Sequence, residues 1–259
     1  MRQAVLYICH GSRLTEACKE AISFIKRCQV RIEADIQEIC FLEIASPSIE
    51  AGFTSCIEQG ATQVAVVPLL LLNALHAKND IPKEIRKCIT KYPNVLVTYG
   101  NPIGVHEKMA DTVIERIQET TTIDSSTVAI LIGRGSSDND VKEDLGNIAN
   151  MVQKKSDVQE VWKCFLTATN PSFQDMLRKV STMYDKKIIF IPYLLFTGLL
   201  MKEIAKNINQ STHPNIHLGR YLSYDPLVEE AFIDRIRETI NNRNGLFTFK
   251  LGEGNYLRN

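Results

Sequence analysis

The sequence has no CxxC pair, no Walker A phrase, no excess of either charge and no apolar run long enough to cross a bilayer. Each absence removes a class of function. Its seven cysteines (Cys9, Cys18, Cys28, Cys40, Cys56, Cys88 and Cys164) are odd in number and scattered. That argues against a zinc ribbon, an iron–sulfur centre or a disulfide framework. It suits a reducing cytoplasm in which most thiols serve as small core residues. Thirty basic residues balance thirty acidic ones, so nucleic acid is not expected as a partner. The N-terminal "MRQAVLYICHGSR" has too short an apolar run, and no small-residue cleavage site, for a signal peptide. The most apolar segment, "AVVPLLLLNALHA", contains a proline and ends at a histidine. It reads as a buried strand and the loop beyond it, so no membrane span is expected. Without a Walker A phrase, ATP-driven chemistry by this chain alone is not expected.

What the chain does contain is an internal repeat. "ICHGSR" at residues 8–13 returns as "IGRGSS" at 132–137, an offset of 124 (134 − 10). "FLEIASPS" at 41–48 matches "FLTATNPS" at 165–172 at that offset, as do Pro68-Leu69-Leu70-Leu71 with Pro192-Tyr193-Leu194-Leu195, and Pro102 with Pro226. The expected organisation is a first domain over 1–122, a second over 123–245 and a tail over 246–259, joined near "TTTIDSS". In the first copy, β-rich apolar runs cover about 4–9, 36–44, 63–68 and 95–99, with helical patterns at about 14–28, 47–59, 80–91 and 105–118. Asp80 followed by Pro82 reads as a helix start. The second copy places strands near 128–133, 159–167, 187–192 and 216–222. Short apolar strands alternating with helices predict parallel sheets covered on both faces. Ligands of such sheets gather beyond the carboxyl ends of the strands.

Three residues with metal-ligand chemistry fall there: His10 after the first strand, Glu43 at the end of the second, and His76 in the loop after the third. Two imidazoles and a carboxylate suit Fe²⁺, Co²⁺, Ni²⁺ or Zn²⁺, and three protein ligands leave coordination positions open. At the same offset His10 becomes Arg134, Glu43 becomes Thr167 and His76 becomes Leu200. The joint loss inside a retained frame points to a metal site in the first copy only. Plainer readings stand beside this one. Gly11 and Ser12, kept as Gly135 and Ser136, suit a tight strand-to-helix turn, and Glu43 suits a helix cap. Cys9 alternates away from His10 along the strand and reads as a core thiol. His106, His213 and His217 show no pattern and read as surface residues, and "GRGSSD" reads as a weak phosphate-turn signal.

These residues resemble a known family. "HGSR" after the first strand, "FLE" at the end of the second and "VVPLLLLNALHAKNDIP" look like the sirohydrochlorin chelatases, class II chelatases of the SirB/CbiX type. "LIGRGSSD" and "PYLLFTGLLMKEI" look like the second half of the long ferrochelatases among them. The resemblance implies two tandem chelatase-like, flavodoxin-related domains with a cleft between them. It implies insertion of a divalent metal, Fe²⁺ or else Co²⁺ or Ni²⁺, into sirohydrochlorin, with no permanently bound cofactor. It places the two active-site histidines on His10 and His76 and the acidic metal residue on Glu43. A fused chain of this kind is expected to work as a monomer. The substrate carries many carboxylates, which makes Ser12, Arg13, Lys78, Arg134 and Lys202 candidate contacts; Lys202 aligns with Lys78 at offset 124. Arg134 stands where the first copy has a histidine and suits bidentate carboxylate binding. The tail "LFTFKLGEGNYLRN" carries no histidine or cysteine tract, so no tail cluster is implied. Three alternatives remain: a cobaltochelatase, a non-enzymatic metal or tetrapyrrole carrier, and a histidine phosphatase, which would want an arginine where Cys9 stands.

Overall fold

The computed structural model describes residues 1–242; the 246–259 tail lies outside the described residues. Two four-stranded parallel sheets organise the chain. The first has the order β2-β1-β3-β4, built from β1 (Gln3–Cys9), β2 (Ile36–Phe41), β3 (Gln63–Leu69) and β4 (Leu96–Tyr99). The second repeats that order with β5 (Thr127–Gly133), β6 (Glu160–Phe165), β7 (Lys187–Pro192) and β8 (Ile216–Leu218), as β6-β5-β7-β8. The helices are α1 (Thr15–Gln29), α2 (Ile49–Glu58), α3 (Ile81–Lys91), α4 (Glu107–Thr120), α5 (Asn139–Lys155), α6 (Phe173–Val180), α7 (Leu199–Asn209) and α8 (Pro226–Asn241). Ala4 through Ile8 of β1 are all fully buried, as a strand covered on both faces requires. The expected α/β class with tandem sheets is therefore observed. Three strands end earlier than expected, β6 by two residues, at Phe165. β2 stops at Phe41 because its continuation turns, with Phe41 N–H bonded to the carbonyl of Pro47 at 2.9 Å, and β8 stops at Leu218.

By compactness the chain divides into two units, Met1–Gly104 with the residues from Glu229 onward, and Val105–Val228. The last helix of each repeat thus belongs with the other repeat's sheet. In the first unit Phe232 of α8 packs on Tyr7 and Phe24, with ring centroids 6.3 and 5.7 Å apart, and Arg27 donates to Glu229 at 2.5 Å. In the second unit Arg116 of α4 is buried and pairs with buried Asp225 at 2.8 Å.

The strand registers correct part of the repeat alignment. Val64 pairs with Val97, and Ile188 with Ile216. The offset is 124 at the third strand (188 − 64) and 119 at the fourth (216 − 97). The second copy is therefore five residues shorter between those strands (124 − 119). Hydrogen bonds from Ile103 to Leu70 and from Leu222 to Leu194 put the loss after Leu194. "KEI" at 83–85 and at 202–204 supplies equivalent buried residues, Ile85 with Ile204 and Ile89 with Ile208, and puts the loss before Lys202. The first copy carries a five-residue π turn there, His76–Asp80, closed by Ile81 N–H on the carbonyl of His76. Two expected equivalences fall, and the match of His76 to Leu200 lies within the stretch where the copies differ in length. Lys202 matches Lys83, not Lys78, and Pro226 opens α8 where Glu107 opens α4, so its match to Pro102 is coincidental.

Candidate metal centre

The order β2-β1-β3-β4 places its crossover point between β1 and β3, where ligands of open parallel sheets bind. His10 directly follows β1, and His76 follows the loop after β3. Beyond the last paired residues, Leu42 N–H bonds to the carbonyl of Cys9 at 2.8 Å and Glu43 N–H to that of His10 at 3.1 Å. The ladder is thereby extended just far enough to set Glu43 beside His10. The carbonyl of Glu43 accepts from Ala45 N–H at 2.7 Å, with Ile44 at φ +69°, so a three-residue turn ends the strand's course. Gly11, at φ +95°, closes the approach from the other side; a Cβ there would meet the Glu43 carbonyl oxygen at 1.8 Å. Only glycine fits both demands.

The side chains converge. His10 Nε2 lies 3.2 Å from His76 Nε2 and 3.5 Å from Glu43 Oε1. One ligand atom from each of the three lies within 4.8 Å of the others. The imidazole rings meet edge to face at 88°. The other ring nitrogens have acceptors: His10 Nδ1 donates to the carbonyl of Gly11 at 3.1 Å, and His76 Nδ1 to Asp80 Oδ2 at 2.8 Å. With the Nδ1 atoms protonated, the neutral rings direct the lone pairs of both Nε2 atoms, beside a carboxylate oxygen, toward the same point. Three acceptors facing one another need a cation, or a proton on one of the nitrogens, between them. Ligands about 2.1 Å from a tetrahedral or octahedral ion stand about 3.0–3.4 Å apart, which matches the 3.2 Å between the imidazole nitrogens. The three side chains are 28–46% exposed, so the ion position is reachable.

The three metal candidates are therefore brought together in the first unit. Ser12 stands in the same loop, but its Oγ accepts from Leu14 N–H at 3.1 Å, as Ser136 Oγ does from Asp138 N–H at 3.1 Å. The shared turn explains its retention in both copies. Arg13 is exposed at the next position, and Lys78 is half-buried in the π turn. Arg134, exposed at the end of β5, and Lys202, exposed in the first turn of α7, belong to the second unit. There the extended ladder recurs, with Thr167 N–H on the carbonyl of Arg134 at 2.9 Å.

Several plainer readings are decided. Glu43 caps no helix; Ser48 caps α2. Asp80 caps none either, because its backbone is already helical and its carboxylate is turned to His76. Its contact with His76 is masked in the sequence by Pro82, which makes Asp80 resemble a helix start. The readable signal was the four-residue interval from His76. The "GRGSSD" turn is no anion cradle, because Ser136 N–H bonds to Thr169 Oγ1, Asp138 N–H bonds to Ser136 Oγ and Asp138 caps α5. Burial pushes the Cys9 thiol well above its usual range, so it stays protonated and is a core residue. His213 is not a surface residue but is buried and stacked on Tyr184 at 4.9 Å, and His106 caps α4.

The CbiX family model matches residues 4–120 and again 128–239. The chain belongs to the CbiX family. It is 44% identical over 254 residues to the sirohydrochlorin ferrochelatase of Bacillus subtilis, covering 97% of each chain. Its fold matches that of SirB from Bacillus subtilis with Fe³⁺ at a TM-score of 0.91, with 45% identity over 96% of this chain and 100% of the other. It also matches the sirohydrochlorin chelatase SirB of Bacillus subtilis subspecies spizizenii in complex with cobalt, at a TM-score of 0.86, with 43% identity over 96% and 100%. The two family matches span the two sheets. Among the described residues, no helix is long and apolar enough to cross a membrane.

Proposed function

We propose that this chain is a sirohydrochlorin ferrochelatase that inserts Fe²⁺ into sirohydrochlorin to give sirohaem, without ATP. Membership of the CbiX family and the identity to a ferrochelatase support the reaction class. One observation carries the assignment of residues: the convergence of His10 Nε2, His76 Nε2 and Glu43 Oε1. These groups hold the incoming ion with positions left open for the nitrogens of the macrocycle. Metallation exchanges one M²⁺ for two pyrrole protons. As the ion leaves, the same Nε2 lone pairs become available to accept those protons. Ion and proton compete for one set of atoms, so release of the first prepares acceptance of the second. Holding both reactants makes the transfer effectively intramolecular.

Arg134 is the strongest candidate contact for a substrate carboxylate, with Arg13, Lys78 and Lys202 as further basic candidates and Ser12 as the least favoured. The division at about residue 122, a monomeric working form and a reducing cytoplasm complete the reading. The seven unpaired thiols agree with the last. The related structure in complex with cobalt favours a second reading, cobalt insertion at the same site.

The test is anaerobic absorbance with sirohydrochlorin and Fe²⁺, then Co²⁺. The wild type should turn over, and His10→Ala and His76→Ala should each lower the rate by about 10²–10⁴-fold. Arg134→Ala should weaken substrate binding by about 10–100-fold. Full activity in either histidine variant would overturn the assignment, and tight metal binding without turnover in the wild type would make the chain a carrier.

A further inference from the structure

The second repeat provides an internal comparison for the π turn. Its strand-to-helix connection is five residues shorter and makes no π turn, yet the helix that follows buries equivalent residues. A π turn is therefore not needed to build the fold. In the first copy its five residues, "HAKND", bring His76 and Asp80 as a unit, and the second copy lacks both. A turn closed from residue i to i+5 is wider than an α turn and stacks residue i+4 more directly over residue i. Here it sets Asp80 Oδ2 2.8 Å from His76 Nδ1. The buried hydroxyl of Tyr99, at the end of β4, donates to the carbonyl of Ala77 at 2.7 Å and fixes the turn to the sheet.

We propose that Asp80 is a positioning residue: by accepting the Nδ1 proton of His76 it fixes the ring's tautomer and aims the Nε2 lone pair at the ion. This rests on the reading of His76 as a metal ligand. The alternative is an ordinary surface contact within a helix, which would leave the tautomer and the ion untouched. Carboxylates placed behind a metal-binding imidazole raise its basicity and orient it, and their loss typically costs about 10–100-fold in metal affinity.

The experiment uses the full chain, with Co²⁺ as the probe of affinity by its visible absorption. The ¹⁵N shifts of labelled histidine, read without metal at pH 8, report the tautomer. Wild type should show His76 protonated at Nδ1. Asp80→Ala should move it toward the Nε2 tautomer, which a free histidine side chain favours, and weaken Co²⁺ binding by about 10–100-fold. Asp80→Asn keeps an acceptor oxygen and should restore the tautomer and part of the affinity. Far-UV circular dichroism should be unchanged in both. A wild-type tautomer and wild-type affinity in Asp80→Ala would overturn the proposal. His76→Ala serves as the separate control: if it binds Co²⁺ as the wild type does, the reading of His76 as a ligand fails. If it loses the ion while Asp80→Ala does not, only the role of Asp80 fails.

Discussion

Gly11 and Gly135 are the same device used twice. Each has a positive φ, +95° and +89°, and a Cβ on either would stand 1.8 or 1.9 Å from a carbonyl oxygen, that of Glu43 or of Thr167. In the first copy the device holds His10 against Glu43; in the second it holds Arg134 against Thr167. Gly11→Ala and Gly135→Ala should each cost about 2–3 kcal/mol in urea unfolding, from left-handed backbone strain alone. Only Gly11→Ala should also weaken Co²⁺ binding, and equal binding losses in both would deny the site to the first copy. The cysteines separate in the same way. Burial pushes the Cys28, Cys56 and Cys164 thiols up to about 12 and Cys88 to about 11, and the Cys9 and Cys40 thiols also rise. Cys18 is only half-buried. Brief iodoacetamide treatment of the native protein, read by mass spectrometry, should therefore label Cys18 first. Metal binding should survive the buried thiols' removal from reach, since none is a ligand.

At the scale of elements, the π turn and the helix exchange matter most. Deleting residues 76–80 gives the first copy the shorter connection that the second already uses. The variant should fold, by circular dichroism and cooperative unfolding, yet bind no Co²⁺. Loss of folding would mean that the turn is structural. Helix α4 is held in the second unit by buried Arg116 paired with Asp225, whose other oxygen accepts from Leu227 N–H at 2.8 Å and caps α8. Asp225→Ala removes the buried partner of Arg116 and leaves its guanidinium only the half-exposed Glu119 at 2.7 Å and the carbonyl of Tyr221 at 3.2 Å, so it should cost about 2–3 kcal/mol in denaturant unfolding. Neither element was legible beforehand. The pair "ND-IP" gives the cap-and-proline signature of a helix start, so the sequence upstream of it reads as loop. A repeat in sequence shows which helices are equivalent, but not which sheet each one covers. That depends on packing partners more than 100 residues away, such as Phe232 on Tyr7.

At the scale of the whole molecule, one sheet plan is used twice, and the His10–Glu43–His76 cluster stands on the first copy. The strands and the position of His10, Glu43 and His76 at or just beyond their ends were readable, because continuous apolar runs and strand-end rules are local. The joint loss of the candidate ligands in the second copy was readable too, though the third falls in a stretch where that copy is five residues shorter. Matches late in the chain misled, since a single lysine or proline at the right interval carries little information once the copies differ in length. The account's central claim is that the converged histidines and Glu43 hold the metal and hand it directly to the macrocycle. The most direct test is a single turnover. Protein loaded anaerobically with one equivalent of Fe²⁺ is mixed with sirohydrochlorin in the presence of excess strong Fe²⁺ chelator, with His10→Ala in parallel. The account predicts full-amplitude formation of metallated product by the wild type despite the trap, and none by the variant. Complete suppression of the wild-type reaction by the chelator would mean that the metal reaches the macrocycle through solution, and would contradict it.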